Sequence, residues 1–283
     1  MQRADVRRWL MGDDAFVRSI GLTTRDGTLF RAKEAKFEEI VGLVEQVVAV
    51  TRELGARRAV TVLDLACGKS YASFAIYHVL AQCVGRPVRV VGVDTNERLI
   101  DLCRATAARH EMDMDFHACR CTDLALDVRP DVAVSLHACD TASDEALFAA
   151  VRLRARRTLV VPCCHREVKR GMEHHPLRPL TQFAVCKERL AEMATDAMRA
   201  LLLQAVGYEV DIVEFVPLSV TPKNLMIRGK WRNMRDGRAL ADYVELRDAL
   251  GAGPLLEHLL RRHGSLPPVL EDDGSRPLGD LDG

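Results

Sequence analysis

The chain has 283 residues, 48% of them hydrophobic and 28% charged, enough apolar material for a full core and suited to one large catalytic domain with appendages. Lys and Arg balance Asp and Glu, so the formal net charge is zero and no global field advertises a polyanionic partner; local patches must supply any such binding. Nine cysteines in a long chain, a start without the apolar core of a signal peptide and no run of membrane-spanning length lead us to expect a soluble cytoplasmic protein with reduced thiols.

In chain order, residues 1–55 predict two helices around the turn-like Thr24–Gly27. The second has Phe37, Ile40, Val41, Val44, Val47 and Val48 at helical spacing, and the segment reads as an N-terminal helical cap. From Val60 onward, strand-like runs at 60–66, 88–93, 113–118, 131–136 and 157–161 alternate with helical patterns near 70–83, 96–109, 141–152 and 187–206. Such alternation predicts an α/β, doubly wound, Rossmann-like sheet, mostly parallel and covered on both faces. Two later runs, 208–216 and 224–231, are joined by a short connector with Pro217 and Pro222 and read as an antiparallel pair closing the sheet. The catalytic domain is thereby assigned to 56–235 and a helical extension to 236–263. Residues 264–283, acidic and rich in Gly and Pro, are expected to form a disordered tail.

In open α/β sheets ligands bind beyond the carboxyl ends of the strands, where the strand order reverses, so residues just after each apolar run matter most. The first run flows into Asp64-Leu-Ala66-Cys-Gly68-Lys-Ser70, where Gly68 lets the backbone approach a ligand. Acids recur at the next strand ends, Asp94 and Asp123. Asp64 suits a ligand ammonium, Asp94 a pair of ribose hydroxyls, and Thr122 with Asp123 an adenine amino group, which together indicate S-adenosylmethionine. A dinucleotide-binding dehydrogenase is the competing reading, but the G-x-G-x-x-G fingerprint is missing and Asp64 faces where a pyrophosphate would lie.

Over roughly residues 36–231 the chain resembles class I S-adenosylmethionine-dependent methyltransferases. Against that family's acid-x-Gly-x-Gly-x-Gly turn, Ala66 and Ser70 replace two of the three glycines. Two further motifs narrow the resemblance: Leu136-His137-Ala-Cys139-Asp140 with Ala142-Ser-Asp144, and Pro162-Cys163-Cys164-His165. They are similar to a branch that holds bacterial members and eukaryotic tRNA ribose 2′-O-methyltransferases. The resemblance implies a methyltransferase acting on RNA, with His137 bordering both the cofactor and the acceptor.

The Asn/Asp-Pro-Pro-Tyr signature for methylating base amines is missing after the fourth strand, which leaves a hydroxyl or a carbon as acceptor. For a ribose hydroxyl, His137 or His165 is the candidate base and Asp140 the group that orients one of them. For cytosine C5, Cys163 is the candidate nucleophile, its thiolate favoured by Arg166, Lys169 and Arg170. No metal is expected from Cys139, Cys163, Cys164 and His165, because no C-x-x-C or H-x-H spacing occurs and adjacent cysteines in extended chain point apart.

Residues 152–178 carry a local excess of six positive charges, and Arg166, Lys169 and Arg170 follow the fifth strand, where they can grip RNA phosphates. Arg31, Lys33 and Lys36 form a second basic segment expected to fold over the pocket, and Asn224 offers a polar corner. Stacking candidates are few: Phe30, Tyr71 and Trp231. A small-molecule methyltransferase, and a nucleic-acid-binding protein that keeps the fold without catalysis, remain as alternatives.

Overall fold

β1 (Val60–Leu65) and β2 (Val88–Asp94) are dominated by valine and leucine without polar alternation, as strands covered on both faces require. They pair in parallel, from Val60 opposite Val88 to Leu65 opposite Val93. In the computed structural model, which describes residues 3–12, 18, 20–23, 28–55, 58–172 and 175–266, they sit within one seven-stranded sheet. β3 (Met114–Ala118) lies outside β2, while β4 (Val132–Leu136) and then β5 (Arg157–Val161) continue beyond β1, all parallel. β7 (Leu225–Trp231) inserts antiparallel between β5 and the edge strand β6 (Tyr208–Glu214), so the order is β3-β2-β1-β4-β5-β7-β6.

The helices divide between the two faces. α1 (Arg3–Met11), α2 (Glu34–Arg52), α3 (Tyr71–His78) and α4 (Glu97–Arg109) share a core with Val62, Val90 and Val134. α5 (Thr141–Arg152) packs Ala146, Ala149 and Ala150 against Leu63, Leu65, Val91 and Val93, the alternate side chains of the same strands. Two short helices, α6 (Arg166–Gly171) and α7 (Arg178–Thr181), follow β5 and lead into α8 (Ala184–Ala205). α9 (Gly237–Leu250) and α10 (Leu255–Arg262) join α5 and α8 in a second core on that face. No helix among the described residues is long and apolar enough to cross a membrane.

Three expectations change. The helical pattern at 70–83 ends as an α-helix at His78 and continues as one π-helical turn, Val79–Cys83. α2 is a layer of the sandwich: Phe37, Ile40, Val44 and Val47 are fully buried in the core of the sheet. Leu266, assigned by composition to the tail, is buried against the α5–α8–α10 core, because an apolar residue beside an existing core stays with it. Residues 267–283 and the turn 24–27 lie outside the described residues.

A buried ionic network ties α8 to α5. Arg199 donates from Nε and Nη2 to both oxygens of Asp144 (3.0 and 2.8 Å) and from Nη1 to Asp196 (3.1 Å), with a further bond to the Asp140 carbonyl (3.3 Å). Asp196 also meets His165 Nε2 at 2.9 Å. Removing one member strands the others without water or counter-charge, so Arg199→Ala should cost about 3–5 kcal/mol of stability, measured by urea unfolding; a loss under ~1 kcal/mol would show that the network adds little.

Candidate active site

The strand order reverses between β1 and β4, and the residues leaving their carboxyl ends surround one cavity of about 430 Å3. Asp64, Ala66, Gly68, Lys69, Ser70, Asp94, His137 and Cys139 line it, together with Lys36 and Tyr71. That volume suits a cofactor-sized ligand.

The turn after β1 takes positive φ at three alternate positions while holding one glycine. Ala66, Gly68 and Ser70 all have left-handed φ, +58°, +55° and +53°. Only Gly68 adopts this freely; alanine and serine there cost about 1 kcal/mol or more each. His137 and Asp140, at +64° and +53°, are strained in the same sense, so four of the seven non-glycine residues with positive φ among the described residues lie at these two strand ends.

Asp64 sits at the buried end of β1 and accepts a hydrogen bond from Ser73 Oγ on α3. Burial pushes its pKa up to about 7, opposed by Ser73 and by the charge of Lys36. A buried carboxylate near a lysine, both lining the cavity, suits the ammonium and carboxylate of an amino acid. Asp94 accepts Gly68 N–H (2.8 Å) with one oxygen and Asn96 N–H (2.9 Å) with the other. Each oxygen retains a lone pair for a vicinal diol. The residues thus fit the methionine and ribose ends of S-adenosylmethionine. Thr122 and Asp123 pair with each other (2.9 Å) and line a different cavity with Phe148, Arg262 and His263, so the structure does not gather them with the other two acids.

His137 Nε2 lies 2.9 Å from Oε1 of Glu39, a buried residue of α2. Burial raises the pKa of Glu39, but His137 and then Lys36 outweigh it and hold the group below its ordinary value. With Glu39 a carboxylate, Nε2 must carry the proton, and Nδ1 is left buried without a hydrogen-bond partner. Glu39 was not legible in the sequence; its one local signal is the helical spacing to Lys36, 3.7 Å away.

The other two acceptor-side assignments find different partners. His165 is buried and held by Asp196, outside the cavity lining, and its bond to that acid joins it to the Arg199 network. Asp140 orients no histidine: Oδ1 accepts the N–H groups of Arg166 and Glu167 (3.1 and 3.2 Å), capping α6 and tying the β4 loop to the β5 loop.

The thiols also depart from expectation. Cys163 Sγ lies 3.6 Å from both Cys139 and Cys164, so adjacent cysteines here converge because the chain after β5 is irregular rather than extended. Burial and the two neighbouring thiols push the Cys163 pKa far up, and no cation is among the groups acting on it. Lys169 is engaged by Glu188, while Arg166 and Arg170 are exposed.

The basic segment divides. Arg156 pairs with Asp131 and Arg157 with Glu53 at the amino end of β5, opposite the cavity. Of the N-terminal trio, Lys36 lines the cavity, Lys33 bonds the Gly21 carbonyl and stacks over Phe30 and Tyr71, and Arg31 is exposed. Asn224 is buried, its amide donating to Val216 O (3.0 Å) within the β6–β7 connector, which removes it from any surface contact. Trp231 packs edge-on against Tyr208 at the far end of the sheet.

Residues 35–171 match the family profile of a methyltransferase domain. The protein is an S-adenosylmethionine-dependent methyltransferase. No curated protein matches the sequence significantly. Among solved structures, the methyltransferase domain of the citrinin polyketide synthase is similar over 82% of this chain and 65% of its own (13% identity, TM-score 0.45). A dimethyladenosine transferase from Plasmodium falciparum is similar over 74% and 68% (11%, 0.42), and the YcgJ protein of Bacillus subtilis over 67% and 99% (10%, 0.40). Likenesses this distant say nothing about which substrate this methyltransferase takes.

Two outcomes test the cofactor end of the site. The folded enzyme keeps the Asp64 proton up to about 7, whereas a free carboxyl loses it near 3.8. The folded state therefore binds more protons between these values, and ligand-free stability should fall as pH rises from about 4 to about 7 and then level off. Asp64→Asn should flatten that slope in thermal melts at graded pH; an unchanged slope would assign it to other groups. Asp94→Ala removes two charge-assisted acceptors and should weaken S-adenosylmethionine binding by about 10- to 100-fold in calorimetry.

Proposed function

We propose that this methyltransferase acts on RNA and methylates a hydroxyl, the ribose 2′-hydroxyl being favoured, with His137 as the general base. The observation that carries the proposal is the Glu39–His137 pair at the cavity wall. A carboxylate fixes the imidazole tautomer and leaves the buried Nδ1 without a hydrogen-bond partner, its lone pair unspent, as a base that must take a hydroxyl proton requires. Bound S-adenosylmethionine supplies a methyl sulfonium whose methyl passes to the acceptor oxygen, leaving S-adenosylhomocysteine. Lys36 and Asp64 hold the amino-acid end, Asp94 holds the ribose, and Glu39 stabilises the imidazolium that forms as His137 takes the proton.

RNA as the substrate rests on the His-Ala-Cys-Asp and Pro-Cys-Cys-His resemblance, and on Arg166, Arg170 and Arg178, exposed on the segment that follows β5. Methylation at cytosine C5 needs a Cys163 thiolate, and burial among thiols opposes that ionisation.

Total RNA incubated with labelled cofactor and digested to nucleosides should yield a 2′-O-methylnucleoside by mass spectrometry; 5-methylcytidine, or label confined to small molecules, would overturn the assignment. His137→Asn should lower kcat by about 10²- to 10⁴-fold while cofactor affinity changes little, and Glu39→Gln should lower kcat in the same direction.

A further inference from the structure

The most concentrated chemistry that the methyl-transfer reading leaves unused is the thiol cluster. We propose that Cys139, Cys163 and Cys164 bind one thiophilic divalent cation, Zn2+ being the ion tested, through three thiolates with the fourth coordination position open. The three sulfurs lie within 4.8 Å of one another, two of the separations being 3.6 Å. A tetrahedral zinc–thiolate site with bonds of about 2.3 Å sets its sulfurs about 3.8 Å apart, so the Cys139–Cys163 and Cys163–Cys164 separations already have ligand spacing and the third pair lies within 4.8 Å. Two neutral thiols gain little from such proximity, whereas thiolates this close repel; a cation among them removes the conflict.

The backbone is arranged to hold this geometry. Cys139 lies between His137, two residues before it, and Asp140, next to it, both with positive φ, and Asp140 in turn caps the helix that begins just past Cys163 and Cys164. Strain on one loop and a cap joining it to the other together fix a cysteine from β4 beside two from β5. Among the described residues no fourth His, Cys, Asp or Glu completes the group. Closed structural zinc sites use four protein ligands, and sites with three leave a position for water or a substrate atom. Cys139 is exposed and lines the cofactor cavity, so that open position borders it.

The binding stands on its own observations and not on the RNA reading. Full-length protein, reduced and metal-stripped, is titrated anaerobically with Co2+ and then with Zn2+. A single ion per chain should bind, giving the near-ultraviolet sulfur-to-cobalt charge-transfer band and the visible bands of a tetrahedral site, and Zn2+ should bleach both. Cys139→Ser, an exposed position that leaves the core intact, and Cys163→Ser should each lose the charge-transfer band, with folding checked by circular dichroism; Cys186→Ser should keep it. Absence of the band in folded, reduced wild type, or its persistence in Cys139→Ser, would overturn the proposal. Neither result depends on whether RNA is methylated.

Discussion

The helices that follow β1 and β4 leave the sheet on opposite faces, and the gap this opens is the constraint on which every feature of the site depends. α3 packs its Phe74, Ala75 and Ile76 into the core shared with α2, whereas α5 packs its alanines against the other side of the same strands. Because β1 and β4 are parallel neighbours, their carboxyl ends lie together and their continuations diverge. Backbone, carboxylates and imidazole are thereby delivered to one place by residues seventy positions apart.

What fills that gap is charge held out of water. Asp64, Glu39 and Lys36 all occupy buried or half-buried positions: His137 and Lys36 hold Glu39 below its ordinary pKa, whereas burial of Asp64 outweighs Ser73 and Lys36 and raises its pKa. Such a set is costly while a zwitterionic ligand is absent and complementary when one is present. Positive φ at Ala66, Ser70, His137 and Asp140 belongs to the same economy: strain is stored at the site, and the flanking strands and the Arg199 network hold it in place. Ala66 and Ser70 take positive φ alongside Gly68, because the surrounding sheet and helix dictate the path of the turn.

The sheet was legible because its strands are uninterrupted valine-rich runs separated by helical periods, so β1 to β5 and the antiparallel β6–β7 pair fall where the patterns put them. Asp64 and Asp94 were legible for the same reason: an acid ending an apolar run marks the rim of the sheet. Glu39 was not, since it lies in a charged stretch, Arg31 to Glu39, in which any acid reads as solvated surface. Only the packing of α2 over the sheet turns it inward to His137. Charge counting failed likewise between residues 152 and 178, where successive basic residues straddle β5 and end on opposite ends of the sheet.

By itself the sequence determined the doubly wound sheet and the places of Asp64 and Asp94 at its carboxyl rim, because these follow from local periodicity and chain order. Tertiary structure alone decided which partners the reactive groups have: Glu39 for His137, Asp196 for His165, helix α6 for Asp140 and two further thiols for Cys163. Those pairings join elements distant along the chain, and a hydrogen bond or thiol contact formed across a fold leaves no period in the sequence to read.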